Sequence, residues 1–203
     1  GELIKRSKIF HYGSLSMTHD KNYEATQYAI QVAKDNGCLI SFDPNLRLSL
    51  WKTPEEARRR ILYGMKQCDI MKISEEEVAF VSEQESLEKG VSFIRDNSDI
   101  KILFVTLGNK GSIAYYKDEK IYCGGIHQEH VVDTTGAGDT FCGAVLSRIL
   151  ELGTDALTEK DIREMLLFAN AAASIVVTRK GALCSMPEPE EIRAASSLID
   201  KVL

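Results

Sequence analysis

Val132-Asp133-Thr134-Thr135-Gly136-Ala137-Gly138-Asp139-Thr140-Phe141-Cys142-Gly143-Ala144-Val145-Leu146 is the stretch on which the reading of this chain turns. A β-branched run carrying an acid enters a turn of small residues, then one Asp, then an apolar helical segment. Such a turn can present bare backbone N–H groups at a helix N-terminus, where partial positive charge favours an anion. Asp139 falls in the first helical turn beside that cradle. Amides that hold charge next to a carboxylate that takes a proton suit phosphoryl transfer onto a hydroxyl. From spacing alone a second reading stays equally open: Gly-Ala-Gly is a tight connection and Asp139 only complements the helix dipole. There is no Gly-x4-Gly-Lys-Ser/Thr loop. Gly136-x-Gly138 is followed by Gly143 instead of a glycine at 141, which excludes the dinucleotide fingerprint.

Around this stretch, strand-like apolar runs alternate with amphipathic segments, which predicts an α/β layer fold with a largely parallel sheet. Strands are expected at 9–13, 38–42, 69–73 and 101–107. A hairpin is expected from 112–116 and 121–123 around Lys117-Asp118-Glu119-Lys120. A helix over 23–36 should turn Ala25, Tyr28, Ala29, Val32 and Ala33 inward and stop at Gly37. Thr53-Pro54-Glu55-Glu56 reads as a capping box opening a helix to about 67, and Ser74-Glu75-Glu76-Glu77 caps a short one. Further helices are expected over 87–96, from Asp139 to about 152, from Thr158 (capped toward Asp161) through 176, and over 189–202. Asp43, Ser74, Thr106 and Asp133 each follow a strand-like run. In open α/β sheets ligands gather beyond the carboxyl ends of the strands. Met65, Phe80, Phe93, Phe104 and Phe168 are assigned to the core.

Composition narrows the classes. The 203 residues are 44% hydrophobic and 27% charged, as in a domain with a real core. A net charge of −5 leaves no footprint for nucleic acid or an anionic membrane. Anionic ligands must then be held by loop amides and single Lys or Arg residues. Five scattered cysteines form no Cys-x-x-Cys pair, which fits a reduced, cytoplasmic setting without zinc. His11, His19, His127 and His130 show no ligand spacing. No apolar stretch reaches membrane-spanning length, and no signal peptide opens the chain.

Residues 133–146 resemble the C-terminal signature of the ribokinase-like (PfkB) carbohydrate kinases. The resemblance extends through 10–14, Asp43-Pro44-Asn45-Leu46-Arg47, Thr106-Leu107-Gly108-Asn109-Lys110-Gly111, Phe168-Ala169-Asn170-Ala171 and Val177-Thr178-Arg179-Lys180-Gly181-Ala182. It implies the three-layer ribokinase-like fold, with residues 1–203 as a single nucleotide-binding portion. It also implies that roughly the first third of such an enzyme, judged by usual domain lengths, is absent from this chain, with its sugar contacts and β-sheet lid. Asp43–Arg47 followed by Leu50-Trp51 is most similar to fructokinases. That implies ATP-dependent phosphorylation of a sugar, fructose first, with ribokinase or 2-keto-3-deoxygluconate kinase as alternatives. A catalytically silent nucleotide-binding scaffold is the alternative of another class.

The resemblance assigns roles residue by residue. Asp139 is the general base, and Gly136, Ala137 and Gly138 hold the transferring phosphoryl. Thr106, Gly108, Gly111 and Asn170 belong to the nucleotide site, and Asn45 and Arg47 point toward phosphate. Asp133, Thr135, Val176, Arg179, Gly181 and Ser185 match positions that offer oxygens to a K⁺ ion in relatives. Glu77 matches a position tied to Mg²⁺ handling. Ser74 departs from the Asn found there in many relatives and is left out of that role. Sugar and ATP are the expected partners, with homodimerisation through the lid.

Overall fold

The computed structural model describes residues 1–199, which fall into two compact units, Gly1–Val105 and Thr106 onward. The C-terminal part of the helix expected over 189–202 lies outside the described residues.

In the first unit a short helix α1 (Glu2–Lys5) precedes β1 (Ile9–Gly13), α2 (Asp20–Asp35), β2 (Leu39–Asp43), α3 (Pro54–Met65), β3 (Ile70–Ser74), α4 (Glu75–Ser82), α5 (Leu87–Asp96) and β4 (Ile102–Thr106). The strands are ordered β1-β2-β3-β4, and β1–β2 and β2–β3 pair in parallel, with Gly13 opposite Asp43. Strands β2, β3 and β4 are buried without alternation, whereas β1 is largely half-buried with His11 exposed. Ile40, Phe42, Ile70, Met71, Ile73 and Ile102–Val105 are all enclosed, as strands covered on both faces must be. Met65 and Phe104 are fully buried as expected, while Phe80 and Phe93 are half-buried.

Capping explains where the helices start. Ser74 and Glu77 exchange both bonds of a capping box at α4. At α3 only half of the expected box forms. Thr53 accepts from the Glu56 N–H at 3.2 Å, but the Glu56 carboxylate turns to Arg60 instead. The reason is Arg60, buried and anchored by Glu56, Asp20, the Met17 carbonyl and the face of Tyr23. Helix α2 also departs from expectation. Its buried face is Thr26, Ile30 and Ala33, whereas Ala25 and Tyr28 face solvent, Tyr28 at 69% exposure. Thr26 is buried because its hydroxyl bonds the Asn22 carbonyl and Ser16, so a polar residue takes the inward place.

The second unit comprises β5 (Gly111–Tyr116), β6 (Glu119–Gly124), α6 (Ala137–Leu152), α7 (Glu159–Val176) and α8 (Pro189–Ile199). The expected hairpin forms, but its second strand starts at Glu119, two residues earlier than expected, so the loop is only Lys117-Asp118 and Tyr116 stands opposite Glu119. Thr158 and Asp161 complete a capping box on α7. Small Ala169, Ala171 and Ala172 are fully buried on α7, which packs against α6 and the hairpin; Phe168 is half-buried. Residues 125–135 form no strand, so Asp133 does not follow one. The Val132 and Asp133 N–H groups both reach the single Val177 carbonyl (2.8 and 3.3 Å) just past α7, which is a loop anchorage and not a ladder.

Candidate active site

The loop into α6 is built around Gly136, which caps the helix in the left-handed region (φ 82°, ψ −5°). Two turns pin it from behind. Asp133 accepts from the Thr135 N–H (2.9 Å) and the Gly181 N–H (3.2 Å). These donors, the Thr135 hydroxyl foremost, hold the Asp133 carboxyl below the usual aspartate range. Ala137 donates to the Thr134 carbonyl at 3.3 Å, and helical bonding resumes with Thr140 on Gly136 at 2.8 Å. Among the described residues no acceptor reaches the N–H groups of Gly136, Gly138 or Asp139. These are orphan donors at a helix start, where anions are favoured. Asp139 is exposed at the third helical position, with no cation or hydrogen-bond partner among the described residues. Thr140, which sequence reasoning passed over, is buried with its hydroxyl unpartnered in the same set.

Beside this loop the chain turns again after α7. Ser185 is 1% exposed and its hydroxyl bonds the Gly181 and Ala182 carbonyls at 2.6 Å. The Val176 carbonyl accepts from the Arg179 N–H at 3.0 Å. The Arg179 guanidinium donates to the Ser185 carbonyl (3.4 Å) and pairs with Glu191. The Val176, Gly181 and Ser185 carbonyls are thus each used once, with a second lone pair remaining on each. Among the described residues there is no group of three or more His, Cys, Asp or Glu side chains suited to a metal.

The turn expected to hold a nucleotide follows Thr106. Leu107 donates to the Gly111 carbonyl at 2.8 Å and Gly125 to the Lys110 carbonyl at 3.1 Å. Its two glycines are needed for different reasons. Gly108 stands at φ 60° with open space around it, whereas a Cβ on Gly111 would lie 2.2 Å from the Cys123 carbonyl oxygen. Asn170 is buried and its amide is fully committed: Oδ1 accepts from Ser112 (2.9 Å), and Nδ2 donates to the Cys123 and Gly124 carbonyls (3.2 Å each). It therefore fastens α7 to the hairpin next to the turn.

In the first unit, Asn45 adopts φ 44° and Arg47 is exposed, with Nη1 on the Leu46 carbonyl at 2.9 Å. Glu77 is 9% exposed. Its Oε1 accepts from the Leu46 N–H (2.6 Å) and its Oε2 from the Ser74 N–H (2.9 Å). Both carboxylate oxygens are thus engaged by backbone amides. Lys72 and Asp43 form a buried ion pair at 3.0 Å that sequence reasoning missed. A lysine inside the apolar run Ile70-Met71-Lys72-Ile73 was the available signal.

A left-handed glycine, orphan amides and a lone carboxylate thus meet at one helix start, and the chain belongs to the pfkB family of carbohydrate kinases. The model of that family, described as pfkB family carbohydrate kinase, matches residues 2–189. Fructokinase-1 of Oryza sativa subsp. japonica is 42% identical over 193 residues, covering 94% of this chain and 59% of the relative. "Probable fructokinase-3" of Arabidopsis thaliana is 40% identical over 202 residues, or 98% of this chain and 57% of the relative. The fold is that of a crystal structure of fructokinase from Vibrio cholerae O395, bound to fructose, ADP and a calcium ion. The two agree with a TM-score of 0.85 at 31% identity, over 93% of this chain and 60% of that one. The chain therefore spans less than two thirds of the length of these relatives. No helix among the described residues is long and apolar enough to cross a membrane.

Proposed function

We propose that this chain is the nucleotide-binding portion of an ATP-dependent sugar kinase, with fructose as the acceptor. The observation that carries the reading is the exposed Asp139 carboxylate, without a partner among the described residues, next to the amides of Gly136, Gly138 and Asp139 that no acceptor in the same set reaches. Asp139 takes the proton of a primary sugar hydroxyl as that oxygen attacks the γ-phosphorus. The bond from the γ-phosphorus to the bridging oxygen breaks and ADP leaves. The loop amides hold the charge that spreads over the transferring group, work for which one preorganised donor is worth roughly 10²–10³ in rate. Gly108, Gly111 and the hairpin fastened by Asn170 shape the nucleotide side.

A magnesium ion bound with the ATP phosphates would supply the neutralisation of their charge. Glu77 fits a direct bond to it poorly, since both its oxygens accept amides. The oxygen-only set of Asp133, Thr135, Val176, Gly181 and Ser185 suits a hard monovalent cation such as K⁺, which would order the loop. Arg179 braces that set.

The test is a phosphate-acceptor screen of the complete protein with ATP across fructose, ribose, 2-keto-3-deoxygluconate and adenosine, with and without K⁺. Fructose is expected to give the highest kcat/KM. Asp139→Asn is expected to retain nucleotide binding and lose at least about 10² in kcat, the low end for general-base catalysis. Undiminished turnover in that variant removes Asp139 from the mechanism.

A further inference from the structure

We propose that Glu77 is a positioning residue: with Asp43 and Lys72 it grips the backbone of the Asn45–Arg47 loop and so sets where the Arg47 guanidinium stands. Two acids from different elements take consecutive amides of one loop. Asp43, at the end of β2, accepts from the Asn45 N–H at 3.1 Å. Glu77, in the first turn of α4, accepts from the Leu46 N–H at 2.6 Å. Leu46 is then held at both ends, because its carbonyl is the group on which Arg47 Nη1 rests. The path from Glu77 to the guanidinium is therefore one residue long.

The charges around the loop fit this task. Lys72 reaches Asp43 at 3.0 and 3.3 Å, with side chains only 8% and 4% exposed. A buried carboxylate is retained only when paired or hydrogen-bonded. Burial chiefly, with Glu77 adding repulsion and Lys72 opposing both, raises the Asp43 carboxyl to about 6. Bonds from amides to carboxylates are about twice as strong as neutral ones. That strength is needed because Asn45 sits at φ 44°, a conformation that persists only where its surroundings over-determine it. On the other side Pro44 is anchored, its carbonyl accepting from the Ser14 N–H (3.1 Å) and the Ser14 hydroxyl.

The inference rests on the reading that Arg47 serves phosphoryl transfer, and the test separates the two. Wild type, Arg47→Ala, Glu77→Gln and the double variant of the complete protein are assayed with ATP and the best acceptor. Glutamine preserves the capping box and the volume but weakens the hold on Leu46. Glu77→Gln is expected to lower kcat/KM about tenfold, within what misplacement of a catalytic group costs. The double variant should be no slower than Arg47→Ala, and about tenfold more Mg²⁺ should not restore Glu77→Gln. Multiplying effects of the two substitutions, or rescue by Mg²⁺, overturn the proposal. Ser74→Ala breaks the other half of the cap without touching Leu46. It should lower stability and spare kcat/KM, and an equal loss of kcat/KM there also overturns the proposal. If wild type transfers phosphate to no acceptor, the functional reading has failed and amide exchange decides. Glu77→Gln should then speed exchange at residues 45–47 while α4 stays protected, and unchanged exchange in the loop overturns the positioning role.

Discussion

Gly136→Ala probes the geometry on which the active-site reading stands, and its cost can be worked from the backbone. Gly136 lies at φ 82° and ψ −5°, so alanine there must occupy the left-handed region, at about 1–2 kcal/mol. Packing adds nothing to this. A Cβ would lie 3.5 Å from both the Cα and the Cβ of Ala182, an ordinary contact. At about 2–4 °C per kcal/mol for a chain of this length, Tm should fall by about 2–8 °C. Gly143→Ala, seven residues further along the same helix, is the control. Gly143 is exposed and nothing lies within 4 Å of its would-be Cβ. The helix there should gain about 0.5–1 kcal/mol. Urea unfolding followed by far-UV circular dichroism measures both. If Gly136→Ala proves neutral or stabilising while Gly143→Ala behaves as expected, the cap is not left-handed. The amides of 136–139 are then not disposed as described.

Three other expectations follow from burial and charge. Asp133 has its carboxyl lowered in the fold, so the unfolded chain binds more protons as pH drops. Its contribution is present above the ordinary aspartate value of 3.8 and is lost as pH falls through the folded value. Asp133→Asn should accordingly lower Tm at pH 7, with the gap narrowing below pH ~4, and a gap constant from pH 7 to pH ~3 would contradict this. Lys72→Met strands the buried Asp43 carboxylate at an expected cost of about 3–5 kcal/mol. Because Lys72 holds the Asp43 carboxyl down at about 6, its removal raises that carboxyl further, and denaturant midpoints should show the cost shrinking as pH falls toward about 6 and levelling off below it. Gly64→Ala would set a Cβ 2.7–3.0 Å from three atoms of the fully buried Phe42 ring. Overpacking of about 1–3 kcal/mol should outweigh a helix gain of about 1 kcal/mol, giving a net loss in thermal unfolding.

What the sequence makes legible is what short-range chemistry encodes. Ser74 with Glu77 and Thr158 with Asp161 announce their helices because both partners of each box lie within one turn. The helix over Leu87–Asp96 falls where its pattern places it. Strands β1 to β4 show themselves as predominantly apolar runs, interrupted only by His11, Ser41 and Lys72. What stays hidden depends on partners far along the chain. Nothing local tells that Glu77 will spend an oxygen on Leu46, 31 residues earlier, or that Arg60 will be buried against Met17 and Asp20, about 40 residues away. The Val131-Val132 pair has strand-like chemistry but no neighbouring strand, and both side chains stay exposed. The role of Asn170 is half visible: its place beside the nucleotide turn follows from resemblance, while its three bonds to the hairpin follow only from packing.

The distribution of thiols offers a practical handle. Cys38, Cys68 and Cys142 are buried, and Cys123 is half-covered with its thiol pushed up by burial, so it forms thiolate reluctantly. Cys184 alone among the described residues stands in solvent, next to Ser185 and three residues from the glycine that clasps Asp133. A maleimide dye can thus be installed on the native chain at the flank of the loop, turning the unaltered molecule into its own optical reporter.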